Sequence, residues 1–201
     1  MKILSVNTGR VAPLFVGSKH PREQVPSGIV KSPVSTLGDP RPVSVTLLGL
    51  EGDEQADRRV HGGRFKAACA YPFEHYPVWE TIRSQALGHE EPLPHGFFGE
   101  NLTLSGLDET QVWAGDVLQI GSVALRVVSP RQPCFKFNAR MGFKHAAKMM
   151  AQSGYSGFYL EVLKPGSLRA GDAITLTAGD RLIRIDDMNR RLTNDKQYEL
   201  L

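Results

Sequence analysis

The chain has 201 residues, 41% apolar and 22% charged, with 24 basic against 21 acidic side chains and a net charge of +3. That length supports one sizeable core with at most a small appendage, and so mild a charge gives no footprint for nucleic acid as the main partner. Two cysteines, Cys69 and Cys134, exclude a disulfide framework and are too few for an iron–sulfur cluster or a structural zinc site.

In chain order, Met1–Asn7 is too short in apolar residues for a signal peptide, and no later stretch approaches the ~20 apolar residues of a membrane span. A reduced cytoplasmic protein, not associated with membrane, is expected. Ile3–Val6, Ser27–Val30 and Val43–Leu48 read as strands, separated by Pro/Gly-rich loops around residues 17–42. Tyr76, Trp79 and Ile82, three apart, predict a core-facing helix over Phe73–Arg83. Val117–Ile120, Val123–Val128, Gly157–Leu163 and Ala173–Thr177 predict further strands, with Gly115-Asp116 and Gly171-Asp172 as turns. Between them Ala147, Met150 and Ala151 mark a helix over Lys144–Gln152 that stops at Ser153-Gly154. With no βαβ alternation visible, this pattern predicts a mostly-β closed barrel with a few peripheral helices over residues 1–180. Beyond it, Ile185, Met188 and Leu192 at helical spacing predict a charged helical tail over 181–201.

The chemistry concentrates in a few polar segments. In Ser129-Pro130-Arg131-Gln132-Pro133-Cys134, two prolines fix the backbone ahead of a thiol. If Phe135–Arg140 continues extended, Cys134, Lys136, Asn138 and Arg140 share one face, opposite Phe135, Phe137 and Ala139. A thiol among cations favours thiolate, the form of a metal ligand or nucleophile, although a cysteine can equally pack as a small hydrophobe. The glycine-rich run from Gly49 to Lys66 carries the cations Arg58, Arg59, Arg64 and Lys66 together with His61. It reads either as an anion-binding nest of backbone N–H groups or as a solvated loop of mixed charge. Cys69, among small apolar neighbours, reads as buried without activation, and His75 as a satisfied residue at a helix start. Lys31-Ser32 at a strand end offers a cation and a hydroxyl for phosphate, and Asn101 an amide that could read a heterocycle's edge.

Taken together, Val30-Lys31-Ser32-Pro33-Val34, Gly49-Leu50-Glu51-Gly52-Asp53, Val60-His61-Gly62-Gly63, Tyr71-Pro72, Phe98-Gly99-Glu100-Asn101-Leu102 and Ser129–Cys134 resemble the molybdenum-cofactor sulfurase C-terminal domain family, MOSC. The order and spacing hold from about residue 25 to 177, and the match is closest to small bacterial stand-alone members linked to detoxifying N-hydroxylated base analogues such as 6-hydroxylaminopurine. The resemblance implies a β-barrel holding a molybdenum-pterin cofactor, with Cys134 as the protein ligand to molybdenum. Lys31 and Ser32 would contact the pterin or its phosphate, with Arg59, His61, Gly62, Asn101, Arg131, Lys136 and Asn138 completing the cofactor site. The implied activity is reduction of N-hydroxylated compounds, with His61 as a candidate proton donor. The sequence carries no dinucleotide fingerprint, so a separate flavin or iron–sulfur reductase is expected as electron donor. The alternatives are a cofactor-binding or sulfur-carrier module using Cys134 without reductive turnover and, behind it, a cysteine hydrolase. The tail resembles the first helix of the three-helix appendage of some bacterial members.

Overall fold

The structure, a computed structural model, describes residues 1–17, 23–57 and 62–198. In chain order its elements are β1 (Lys2–Thr8), β2 (Ala12–Phe15), β3 (Gln24–Ser27), β4 (Ser32–Thr36), β5 (Val43–Thr46), β6 (Gly49–Leu50) and β7 (Ala68–Pro72). There follow α1 (Tyr76–Leu87), β8 (Leu102–Ser105), β9 (Val117–Ile120), β10 (Val123–Pro130), α2 (Phe135–Met141) and α3 (Ala146–Ser153). The chain continues through β11 (Phe158–Lys164), β12 (Gly166–Leu168), β13 (Ile174–Thr177) and α4 (Ile185–Tyr198).

Alternation of apolar and polar residues builds the main sheet, as in β10, where Val123, Leu125 and Val127 are buried while Ala124 and Arg126 are only partly covered. Eight strands run in the order β13-β9-β10-β11-β7-β8-β1-β4 and curl around a core that includes Ile3, Val6, Leu118, Ile120, Leu125 and Leu160. Every pair is antiparallel except β7 with β8. A parallel pair needs a crossover, and α1 supplies it. This single β–α–β unit was not visible in the sequence, because residues 88–101 separate the helix from its second strand. β7 is buried along its whole length. It gives Ala68 and Ala70 to the sheet's inner core and Tyr71 to a second core under the helices, with Tyr76, Trp79, Phe98, Phe137 and Met150.

The mostly-β expectation holds, but the barrel is not closed. Lys2 pairs with Ala173, and the Ile174 N–H donates to the Met1 carbonyl at 3.1 Å, so the β13 end of the sheet reaches β1. No ladder follows, because β8 takes one edge of β1 and β4 takes the other from Ser5 to Thr8. Two strand expectations also shift: the strand before Lys31 is Gln24–Ser27, not Ser27–Val30, and the Val43 strand ends at Thr46.

The extended reading after Cys134 is overturned, since Phe135–Met141 is helical. Phe137 and Met141, four apart, drop into the helix-side core, and that burial outweighs the local alternation. Gly142, at φ 80°, ends the turn in the left-handed region and returns its N–H to the Asn138 carbonyl at 3.0 Å. The shared polar face of Cys134, Lys136, Asn138 and Arg140 therefore does not exist.

The charged tail forms α4, and it docks. Ile185 is fully buried in the sheet's core, and the Asn189 side-chain amide donates to the Ala151 carbonyl of α3 at 2.9 Å. Among the described residues no helix is long and apolar enough to cross a membrane. Ile185→Ala is expected to lower the unfolding free energy by about 2–4 kcal/mol in urea denaturation. Unchanged stability would mean that α4 is not part of the cooperative unit.

Candidate functional site

Lys31 and Asp53 form an ion pair in which both side chains are almost fully covered. Asp53 Oδ1 also accepts from the Gly9 N–H at 2.9 Å, and Oδ2 accepts from Asn101 Nδ2 at 2.9 Å. Asn101 in turn bonds Cys69 twice: its Oδ1 accepts from the Cys69 N–H at 3.0 Å, and its own N–H donates to the Cys69 carbonyl at 2.8 Å. A buried carboxylate is stable only with such partners, and here they come from three separate segments, at Gly9, Lys31 and Asn101. Gly9 permits the approach, since a Cβ there would lie 2.1 Å from the Val30 carbonyl oxygen.

Above this floor lies a cleft with about 720 Å³ of empty space, part of it open to solvent. Lys31, Lys66, Arg131 and Lys136 line it with Cys69, Cys134 and Tyr159. Arg131, at the end of β10, is 8% exposed, and its buried Nη1 has no hydrogen-bond partner among the described residues. Burial pushes the Cys69 thiol up to about 11 against the pull of Arg131, and burial together with Cys69 pushes Tyr159 up to about 12. Both groups are neutral near pH 7. The lining cations then face two carboxylates: Asp53, neutralised by Lys31, and Glu54, which accepts from the Val11 N–H at 2.8 Å. The cleft is net positive.

Cys134 stands between this cleft and a second one. It caps α2 in extended conformation, is partly exposed, and borders on its other side a groove lined by Pro133, Phe135, His145, Ala147, Ala151 and Thr193.

Of the residues singled out from sequence, the basic cleft brings together Lys31, Asn101, Arg131, Cys134 and Lys136. It does not include Ser32, which is exposed at the start of β4, or Asn138, whose Oδ1 accepts from the Ala147 N–H at 2.8 Å. Lys136 Nζ donates to the Pro26 carbonyl at 2.9 Å, and Arg140 leaves the cleft to lie 4.2 Å from the Phe97 ring centroid. Gly62 lies near the rim without lining the cleft: a Cβ there would meet Gln55, a lining residue, at 2.2 Å. His61 and Arg59, with Arg58, lie outside the described residues. Sequence reasoning missed Asp53 and Tyr159, whereas Lys66 stood among the cations of the glycine-rich run and does line the cleft. Of the two missed residues only Asp53 carried a signal, as the carboxylate at the end of the Gly49–Asp53 glycine turn. Cys69 is buried and unactivated as expected, yet it forms part of the cleft wall.

The donor set fits a soft metal carried by an anionic organic group. Among the described residues there is no cluster of three or more His, Cys, Asp or Glu able to hold a bare metal ion. A partly exposed thiol offers one soft ligand, and the unpartnered Arg131 Nη1 together with Lys66 and Lys136 of the lining offers cations for a phosphate.

A MOSC domain model matches residues 57–175. YflK of Bacillus subtilis is 38% identical over 189 residues, covering 94% of this chain and 79% of YflK. A protein of Gibberella moniliformis named Reductase is 33% identical over 175 residues, which is 87% of this chain but 29% of that protein. The crystal structure of YiiM from Geobacillus stearothermophilus is similar with a TM-score of 0.72 at 32% identity, covering 97% of this chain and 85% of that one.

In cofactor-free native protein at pH 8, iodoacetamide is expected to alkylate Cys134 and spare Cys69. A thiol at about 11 is thiolate in roughly one molecule per thousand at that pH, and Cys69 is also covered. Labelling of Cys69 should rise with pH and become complete on unfolding, read by peptide mass spectrometry. Faster native labelling of Cys69 would contradict the assignment of the accessible thiol.

Proposed function

The chain belongs to the MOSC domain family, and on that premise we propose that it is a molybdenum-cofactor-dependent reductase of N-hydroxylated compounds, re-reduced by a separate flavin or iron–sulfur protein. The observation that carries this reading is the position of Cys134, a partly exposed thiol on the rim of a net-positive cleft whose buried Arg131 has a hydrogen-bonding nitrogen to spare. A relative named Reductase adds support. Bound at Cys134, the cofactor would supply a two-electron metal centre for removing oxygen from an N–OH group.

The chain's own residues then divide the remaining work. Cys134 would hold the metal as thiolate. Arg131, Lys66 and Lys136, which line the cleft, would hold the anionic part of the cofactor. Lys31 contributes less charge than its identity implies, because Asp53 neutralises it. Asn101 acts as a positioning residue: its amide is committed to Asp53 and Cys69, so it fixes the floor and does not read the ligand. Neutral Cys69 and Tyr159 give the cleft an uncharged wall that does not compete for the metal or the cations.

Cys134→Ser in protein supplied with a competent electron donor is expected to lose reduction of 6-hydroxylaminopurine by more than about a hundredfold, whereas Cys69→Ala stays within about twofold of wild type. Persistent activity in Cys134→Ser would defeat the ligand assignment. A labile extra sulfur on Cys134 by mass spectrometry, with no turnover in the wild type, would replace the reductase by a sulfur carrier.

A further inference from the structure

A cavity that the reading above does not use lies where α4 meets the end of α3, the loop before β9 and the turn entering α1. It has about 1180 Å³ of empty space including the part open to solvent, and it shares no lining residue with the basic cleft. Its charge is the reverse. Asp108, Glu109 and Asp186 line it against Arg190 and His75. Asp186 is already answered by Arg184, whose Nη2 donates to it at 2.8 Å, and Arg190 is held by Asp187. Glu109 is 2% exposed; its Oε1 accepts from the Gly157 N–H at 2.6 Å, and its Oε2 lies 2.7 Å from His75 Nε2. Asp108 has no such answer: the Thr110 N–H and hydroxyl both go to its Oδ1, and no cation pairs with it among the described residues. The cavity is therefore negative whether His75 is neutral or protonated.

Two further observations point to what would fill it. Asn189, on α4, is 1% exposed and lines the cavity. Its Nδ2 is tied to the Ala151 carbonyl at 2.9 Å, which fixes the amide, while its Oδ1 has no hydrogen-bond partner among the described residues. A buried acceptor left unmade is costly, and a donor from a ligand removes that cost. Tyr155 supplies a flat wall. One face of its ring stacks on His75 with centroids 4.2 Å apart and planes 14° apart, yet the residue is 39% exposed, so the opposite face is open. An aromatic face beside uncompensated carboxylate attracts a cation. Among the described residues no cluster of three or more His, Cys, Asp or Glu could hold a bare metal ion, so the cation is an organic one that brings its own N–H donors.

We propose that this cavity is a second binding site, separate from the basic cleft, for a planar organic cation of the guanidinium type. Its plane lies on the open face of Tyr155, and its N–H groups donate to Asn189 Oδ1 and to Asp108. A guanidinium suits these walls better than an alkylammonium: it is flat, it carries donors in several directions, and it gives up its hydration more readily than a compact ammonium. Glu109 contributes its charge without touching the ligand, because both of its oxygens are already bonded.

The test is titration calorimetry on the whole chain, purified from cells with cofactor biosynthesis intact, with phenylguanidinium as probe and phenylurea as its uncharged counterpart of the same shape. Wild type should bind phenylguanidinium with a Kd at or below about 1 mM. Phenylurea, which brings no charge to the carboxylates, should bind at least about tenfold more weakly. Tyr155→Leu should weaken phenylguanidinium binding about threefold to tenfold through loss of the cation–ring contact. Asp108→Asn and Asn189→Leu should each weaken it about tenfold. Thermal melting is followed for every variant. Should Asn189→Leu melt early through loss of its bond to Ala151, Asp108→Asn decides, since an amide oxygen there still accepts from Thr110. Cys134→Ser should bind the probe as wild type does, because the thiol belongs to other cavities. Equal affinity for the two probes, wild-type affinity in Asp108→Asn or Tyr155→Leu, loss of binding in Cys134→Ser, or no binding at millimolar phenylguanidinium would each overturn the site. None of these outcomes depends on whether the protein carries molybdenum, so failure here and failure of the reductase reading are told apart.

Discussion

Lys31 and Asp53 sit almost out of reach of water, and the remaining geometry follows from how their charges are satisfied. A buried ion pair is stable only when further hydrogen bonds complete it; removing one partner typically costs about 3–5 kcal/mol. Asp53 finds those bonds at the Gly9 N–H and the Asn101 amide, and Asn101 is itself braced by both backbone groups of Cys69. The loops after β1, before β4 and after β6, with the starts of β7 and β8, are thereby held in one place. That place is the floor of the basic cleft. Because the pair consumes the Lys31 charge, anion binding above it falls to Arg131, Lys66 and Lys136.

The thiol is positioned by a different device. β10 carries the chain out of the sheet, Pro133 stiffens the exit, and the burial of Phe137 and Met141 under α1 and α3 fixes where α2 must start. Cys134 lies at that start, between the sheet and the helical layer, which is why two cavities of different chemistry meet at one side chain. A cysteine within a regular strand, as the local alternation implied, would have had neighbours on one face only.

The strands were legible where one face of the sheet is buried, as in the β9–β10 hairpin, because period-two alternation records that burial directly. The helix at Phe135–Met141 was not, since seven residues fit both periods and the deciding contacts come from α1 and α3. Parallel pairing of β7 with β8 was hidden for a similar reason: it depends on residues more than thirty apart in sequence. In the site, Cys134 and Lys136 were picked out locally, though on an extended face that does not form, and Lys31, Asn101 and Arg131 through the family resemblance. Their division of labour was not. That Asn101 is spent on Cys69 and Asp53, or that Ser32 faces solvent while Ser27 lines the cleft, is decided by register between distant strands. The tail's charge pattern indicated a helix, but only the burial of Ile185 shows that it belongs to the same core.

The account rests on the basic cleft and its thiol holding a molybdenum-pterin group. The most direct measurement is elemental molybdenum, together with released pterin, per polypeptide in wild-type protein from cells with intact cofactor biosynthesis. The account predicts close to one of each per chain, with neither in protein from cells unable to make the cofactor. Protein isolated intact and folded from cofactor-producing cells with neither molybdenum nor pterin would contradict it.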